Sequence, residues 1–227
     1  MIAALIDFLF PRLCLGCASL LENYEKYACL ICQHNATQTD FHLLENNKLK
    51  IQFNGLIPLE YAFAQFYYKK DTLIKKYIHQ LKYNKQEKIG EILAKWYAIY
   101  LKDNLFIKDI DLILAVPIHK KRKQERGYNQ VHLYIKTLSK ELNIPYDFKT
   151  LKRIKNTNTQ TKKDKKNRFE IVFGAFKLNK INNLNGKHIL LIDDVITTGA
   201  TLEACWEVLK EVPQLKISIL SIAYVDS

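Results

Sequence analysis

From residue 59 onward, apolar positions switch repeatedly between two periods. Leu59 to Tyr68 alternates as a half-buried strand does. Leu73, Ile74, Tyr77, Ile78 and Leu81 then fall on one helix face, and Ile89, Ile92, Leu93, Trp96 and Tyr100 predict a second helix. Leu112 to Val116 is a short apolar strand stopped at Pro117. Asn129 to Leu142 is read as a helix with Tyr134, Ile135, Leu138 and Leu142 inward. Glu170 to Phe176 predicts a strand, and Ile189 to Ile192 is an unbroken apolar run of the kind buried on both faces of a parallel sheet. A helix over Thr201 to Val212, with Leu202, Cys205, Trp206 and Leu209 on one face, and a strand over Leu215 to Val225 complete the series. Strands alternating with helices imply an α/β fold with a mostly parallel sheet flanked by helices.

Before residue 59 the pattern differs. Residues 1–45 show little helical period and hold two cysteine pairs, Cys14-Leu-Gly-Cys17 and Cys29-Leu-Ile-Cys32. Two residues between cysteines let both thiolates of a knuckle face one tetrahedral Zn²⁺. The expectation is a small four-cysteine zinc-ribbon module with a structural metal, because cysteine fills all four positions and leaves none for a substrate. Residues 46–58, with polar Asn46-Asn47-Lys48, then Gly55 and Pro58, read as a linker, and 59–227 as one α/β domain. The fifth cysteine, Cys205, reads as a small buried hydrophobe.

Composition adds two constraints. At 227 residues, 48% hydrophobic and 26% charged, the chain is ordinary for a globular protein. The +12 net charge is concentrated: His119 to Arg168 carries 16 basic and 4 acidic residues, while the rest of the chain balances. Such a block suggests a polyanionic partner. No apolar run reaches the length of a membrane span, and the apolar start lacks the basic flank and small-residue cleavage site of a signal peptide. No membrane insertion and a cytoplasmic location are therefore expected.

The sharpest motif follows the buried strand: Asp193-Asp194-Val195-Ile196-Thr197-Thr198-Gly199-Ala200-Thr201. Two carboxylates close the strand, and a Thr/Gly loop then feeds a helix N-terminus, where backbone N–H groups and the helix dipole favour a phosphate. The carboxylates suit sugar hydroxyls, directly or through Mg²⁺. No P-loop and no dinucleotide-binding glycine motif is present.

This stretch resembles the binding signature of type I phosphoribosyltransferases, which hold 5-phosphoribosyl 1-pyrophosphate (PRPP). The resemblance implies that Asp193 and Asp194 contact the ribose hydroxyls and that Val195 to Thr201 wrap the 5′-phosphate. Together with the cysteine knuckles, Leu81-Lys82-Tyr83, Val116-Pro117-Ile118-His119, Arg126-Gly127-Tyr128-Asn129-Gln130, Arg153, Asn156 to Thr161, Arg168 and Gly174-Ala175-Phe176, the chain resembles the ComF family of competence proteins, ComFC type. One departure is Ile171, where that family commonly has Asn.

The resemblance implies a type I phosphoribosyltransferase-like domain over 59–227, PRPP with Mg²⁺ as ligand, and a role in uptake of single-stranded DNA with a helicase partner. It also implies that Pro117, His119, Lys120, Lys121, Arg122 and Arg126 belong to the pyrophosphate loop and the flexible loop closing over it. A second basic cluster, Lys162, Lys163, Lys165, Lys166 and Arg168, leaves three readings for the basic middle: a solvated loop for the second cluster, substrate binding for the first, or a nucleic-acid surface using both with Tyr128 and Phe169 as stacking platforms. His119 reads as positional rather than as an acid or base. Two functions remain open: transfer of the ribosyl 5-phosphate, or a non-catalytic nucleic-acid-handling protein that uses PRPP as a sensor ligand.

Overall fold

The computed structural model describes residues 11–70, 72–155, 174–179 and 184–226. Its centre is a five-stranded sheet in the order β1-β7-β6-β2-β3, formed by Leu59–Tyr67 (β1), Leu112–Ala115 (β2), Tyr146–Asp147 (β3), His188–Ile196 (β6) and Lys216–Tyr224 (β7). Every pairing in it is parallel. Leu151–Arg153 (β4) and Phe176–Leu178 (β5) form a separate antiparallel ribbon. The expected strand over Glu170 to Phe176 lies mostly outside the described residues.

Helices cover both faces, which explains the continuous apolar runs of the central strands. On one face lie Leu73–Tyr83 (α3), Lys88–Leu101 (α4) and His132–Leu142 (α7), packed on Ile113, Ala115, Leu190, Ile192, Leu220 and Ile222. On the other lie Lys48–Gln52 (α2) and Ala200–Leu209 (α8), packed on the alternate strand positions Leu112, Leu114, Ile189, Leu191, Ile217 and Ile219. Short helices Leu30–His34 (α1), Leu105–Lys108 (α5) and Lys120–Arg126 (α6) complete the set among the described residues.

Three differences from the sequence expectation have physical causes. First, α4 is rotated. Ile89, Leu93, Tyr97 and Leu101 are buried as a heptad-like stripe, together with Gly90, Ala94 and Ala98, while Tyr100 is exposed and Ile92 and Trp96 are only half-buried. Small residues let α4 approach α7 closely: a Cβ on Gly90 would sit 3.3 Å from the Tyr134 backbone nitrogen. Contact distance therefore overrides side-chain size in choosing the buried face.

Second, residues 46–58, expected as a linker, hold α2. Its N-cap Asn47 accepts from the Lys50 N–H at 3.0 Å and donates to the carbonyls of Phe41, Leu44 and Ala62. Leu49, Phe53 and Ile57 are buried. Third, the helix expected from Asn129 begins at His132, because Asn129 turns its side chain back to the end of β2.

The cysteine-bearing segment shares its core with α3 and α4. Cys14, Leu21, Ala28, Cys29 and Ala36 belong to the same buried cluster as Leu73, Tyr77 and Leu93. Residues 37–39 also pair with the outer edge of β1, through Tyr67 N–H to the Thr37 carbonyl at 3.0 Å and Thr39 N–H to the Gln65 carbonyl at 3.3 Å. That cover protects a strand edge that would otherwise be open.

Candidate functional site

In the sheet order, the chain leaves β2 outward, through α6 and α7 to β3. It leaves the neighbouring β6 in the opposite direction, through α8 to β7. The crevice at the carboxyl ends of β2 and β6 is thus a topological switch point, the place where open α/β sheets bind ligands. The register makes the notch visible. β2 and β6 pair only up to Ala115 and Ile192, whereas β6 continues along β7 through Asp193, Val195 and Ile196. Asp193 and Asp194 therefore lie inside β6 as it projects beyond β2.

Both carboxylates are partly buried. Asp193 Oδ1 accepts from the Asp194 N–H at 2.8 Å. Asp194 Oδ2 pairs with Lys82 Nζ at 3.1 Å, the lysine arriving from the C-terminal turn of α3. Burial first, and the Asp194 charge second, push the Asp193 carboxyl up to about 7, against the Asp194 N–H, Lys82 and Arg153, which pull it down. Asp193 keeps some solvent access, which tempers this effect. Arg153 lies on β4 with its guanidinium 5.4 Å from the Phe176 ring, and it feels the charges of both Arg122 and Asp193.

The loop after β6 has a conformation only glycine adopts readily. Gly199, at φ +84°, occupies the N-cap of α8 and makes no side-chain cap; its carbonyl accepts from the Leu202 N–H at 2.8 Å and the Glu203 N–H at 3.1 Å. α2 braces this loop from behind. Gln52 Nε2 donates to the Thr197 carbonyl at 3.0 Å, and the Phe53 ring fills the space where a Gly199 Cβ would lie, 2.5 Å from Phe53 Cε1.

Across the crevice, β2 is followed by Val116, whose N–H reaches the Ile192 carbonyl at 2.9 Å. Pro117 and His119 follow. Lys120, Lys121, Arg122 and Arg126, expected on a loop, lie on α6. His119 Nδ1 caps it by accepting from the Lys121 N–H at 3.3 Å, and Gly127 at φ +87° ends it. The residues after α6 are anchors. Tyr128 donates to the Leu81 carbonyl at 2.7 Å, Asn129 Nδ2 donates to the Val116 carbonyl at 3.0 Å, and Arg126 sits 5.6 Å from the Tyr83 ring centre. Burial pushes the Tyr128 hydroxyl up to about 12. Leu81, Lys82 and Tyr83 thus each engage a different part of the site.

The structure places Asp193, Asp194 and Val195 to Thr201 along and after the end of β6, and Pro117 and His119 after the end of the neighbouring β2. It adds Lys82, Arg153, Gln52 and Phe53, which sequence reasoning did not assign to the site. Lys82 was visible only as part of a helix motif more than a hundred residues away. The second basic cluster from Lys162 to Arg168, together with Asn156 to Thr161, Phe169 and Ile171, lies outside the described residues.

The sequence model of the phosphoribosyl transferase domain matches residues 133–225. Competence protein F of Haemophilus influenzae is 32% identical over 150 residues, spanning 64% of this chain and 66% of that protein. Competence protein ComFC of Bacillus subtilis is 39% identical over 93 residues, 40% of this chain and 35% of that one. The chain is similar to the ComF competence proteins and carries a phosphoribosyl transferase domain. DNA utilization protein YhgH of Escherichia coli is a further relative, 30% identical over 128 residues, 55% of the chain and 56% of YhgH. These matches span less than two thirds of the relatives' own lengths. An adenine phosphoribosyltransferase from Saccharomyces cerevisiae is similar at a TM-score of 0.41 and 15% identity, over 61% of this chain and 70% of that one.

The four knuckle cysteines converge. The sulfur atoms of Cys14, Cys17, Cys29 and Cys32 all lie within 4.8 Å of one another, and Cys17 Sγ and Cys29 Sγ are 3.6 Å apart. A tetrahedral metal with sulfur ligands at ~2.3 Å requires sulfur–sulfur distances of about 3.8 Å, so the set fits a metal ion. Cys14 Sγ accepts from the N–H groups of Gly16 and Cys29, both at 3.3 Å. A Cβ on Gly16 would approach Cys32 Sγ to 2.6 Å, so the first knuckle requires glycine for closeness rather than for backbone angle. The Lys76 ammonium donates to the Gly16 carbonyl, fastening the knuckle to α3. Among the described residues no helix is long and apolar enough to cross a membrane.

Proposed function

We propose that this chain binds PRPP with Mg²⁺ in the crevice between β2 and β6 and transfers its ribosyl 5-phosphate, in the service of DNA uptake. The observation that carries this is the placement of Asp193 and Asp194 beyond the last β2–β6 pair, at the switch point and directly before the Gly199 phosphate loop. The 5′-phosphate sits on the N–H groups of Ile196 to Thr201, with Thr197, Thr198 and Thr201 adding hydroxyls. The two carboxylates take the ribose diol. Mg²⁺, when bound with PRPP, neutralises charge on the pyrophosphate. Lys120, Lys121 and Arg122 on α6, with Arg153 behind, face the pyrophosphate as the anomeric C–O bond breaks and the electron pair leaves with it. Such catalysis is positioning and electrostatics.

The metal of the cysteine cluster is assigned as structural Zn²⁺, with 1–45 as its module and 59–227 as the phosphoribosyltransferase-like domain. The names of the relatives, competence proteins and a DNA utilization protein, support a role in handling DNA; single-stranded DNA as partner, a DNA-uptake helicase beside it and a cytoplasmic location complete the proposal. They equally support a second reading, in which the same PRPP site acts as a sensor in a non-catalytic nucleic-acid-binding protein.

Calorimetry with PRPP and Mg²⁺ tests the shared claim. Wild type gives saturable heat, and Asp193→Asn/Asp194→Asn abolishes it. Absence of heat from wild type overturns it. Release of pyrophosphate with an acceptor present separates transfer from sensing.

A further inference from the structure

A second concave surface lies away from the crevice. A cleft of about 600 Å³ opens between the cysteine-bearing segment and the outer face of α4. Its α4 side is built from Lys88, Glu91, Ile92, Lys95 and Trp96, spaced three and four apart as one helix face. These include the two large apolar residues that helical periodicity sends to the core and that the structure leaves half-buried, Ile92 and Trp96. The opposite wall carries Arg12, Lys26, Tyr24 and Tyr27, with Tyr24 71% exposed.

The charge of the cleft is one-sided. Among the described residues it has four basic side chains and one carboxylate, and that carboxylate, Glu91, is satisfied by Lys95 at 2.6 Å. The Glu91 carboxyl is held below its usual range by its bond to Lys95 first, with Lys26 and Lys88 adding to the effect. Among the described residues Arg12, Lys26 and Lys88 form no ion pair, and they surround the aromatic faces with net positive charge. A closed apolar pocket would suit a small neutral ligand. Flat aromatic rings set among cations in an open cleft match the two needs of a single nucleic-acid strand, a face for each base and a cation for each phosphate.

We propose that this cleft is the seat of single-stranded DNA, with a base stacked on Trp96, Tyr24 flanking its neighbour, and Lys26, Lys88 and Arg12 holding the backbone. The proposal rests on the DNA-uptake reading and refines it. It places the strand at the junction of the cysteine segment and α4, not on the basic stretch from His119 to Arg168. Zinc at the knuckles then has a second consequence, since it fixes the wall that carries Tyr24, Lys26 and Tyr27.

The test uses the full chain and a fluorescent twenty-nucleotide oligo(dT) at low salt. The chain has two tryptophans, so Trp206→Phe leaves Trp96 as the sole indole reporter. Oligo(dT) is expected to quench Trp96 emission. Trp96→Ala and Tyr24→Ala each weaken binding roughly 5- to 100-fold, the range of one lost base–aromatic stack. Lys26→Gln/Lys88→Gln lowers the salt slope by about 1.4, at about 0.7 per phosphate contact on a single strand. Unchanged PRPP heats in these variants show that the fold is intact.

If wild type binds oligo(dT) but the cleft variants bind equally well and Lys120→Gln/Lys121→Gln does not, the placement is overturned and the DNA reading stands. If duplex DNA competes as well as oligo(dT), base stacking is overturned. If wild type binds no oligo(dT), both the placement and the DNA reading fail.

Discussion

Lys82 Nζ lies 3.1 Å from Asp194 Oδ2, joining the last turn of α3 to the strand that carries the acidic pair. The pair is mostly shielded from water, so it is stronger than a surface ion pair and costs more to break. Lys82→Met leaves two adjacent carboxylates with less compensation. The expected loss is about 1–3 kcal/mol of stability, read from urea unfolding at pH 8. PRPP affinity at pH 7 should fall and recover toward pH 9, since loss of Lys82 raises the Asp193 carboxyl further. Affinity independent of pH in this variant would show that Lys82 does not tune the pair.

Asp193 itself makes a pH prediction with a defined sign. Its carboxyl lies at about 7 in the folded chain and at 3.8 as a free group. Between those values the folded state holds more protons than the unfolded one, so this group's stabilising contribution is full below about 3.8 and is lost as pH rises through about 7. Wild type should therefore lose melting temperature from pH 5 to pH 8 relative to Asp193→Asn, which lacks the titration. PRPP–Mg²⁺ binding should move the other way in wild type, strengthening up to about tenfold per pH unit below 7 as the pair ionises. Parallel curves for the two proteins would place the titration elsewhere.

These two residues also show what the sequence could and could not reveal. β2 and β6 were legible because strands buried on both faces are apolar throughout, and Asp193-Asp194 stands out as the first break in that run. The phosphate loop was legible because its glycine, threonines and helix start are contiguous. Lys82, Arg153 and the Gln52–Phe53 brace were not, since each reaches the site only through tertiary packing from a distant element. The face of α4 was misjudged for a related reason. Periodicity weights Ile92 and Trp96 above Gly90, Ala94 and Ala98, but close packing against α7 selects the small residues. The basic run at Lys120 to Arg126 reads as a charged loop, yet His119 and Gly127 supply both caps of a helix.

Gly199→Ala tests the brace. The substitution meets two penalties: a left-handed backbone angle, about 1–2 kcal/mol, and a methyl group driven against the Phe53 ring, about 1–3 kcal/mol. The expected sum is roughly 2–5 kcal/mol in urea unfolding, with loss of PRPP heat because the loop moves. Phe53→Ala removes only the second penalty. In a double-mutant cycle the two substitutions should cost less together than the sum of each alone. Strict additivity would mean that the ring and the loop are uncoupled.

The cysteine cluster gives the last prediction. Four thiolates at these distances make a soft-metal site, and tetrahedral sulfur ligation suits zinc or a single iron. The purified chain should carry one colourless metal ion by native mass spectrometry, and Cys14→Ser should lose it. Gly16→Ala separates ligand number from geometry: it keeps all four thiols yet forces Cys32 Sγ away from its place, so metal affinity should drop at least tenfold. Because Cys14 and Cys29 pack in one cluster with Leu73, Tyr77 and Leu93, the segment does not melt alone. Chelation should shift a single cooperative transition downward, as expected when metal binding is part of the folding free energy. Two separate transitions, or a melting curve indifferent to chelator, would show that the knuckles are not tied to the sheet through the metal. Loss of oligo(dT) quenching on chelation, with PRPP heat retained, is the expected companion result, since only the cleft wall depends directly on the knuckles.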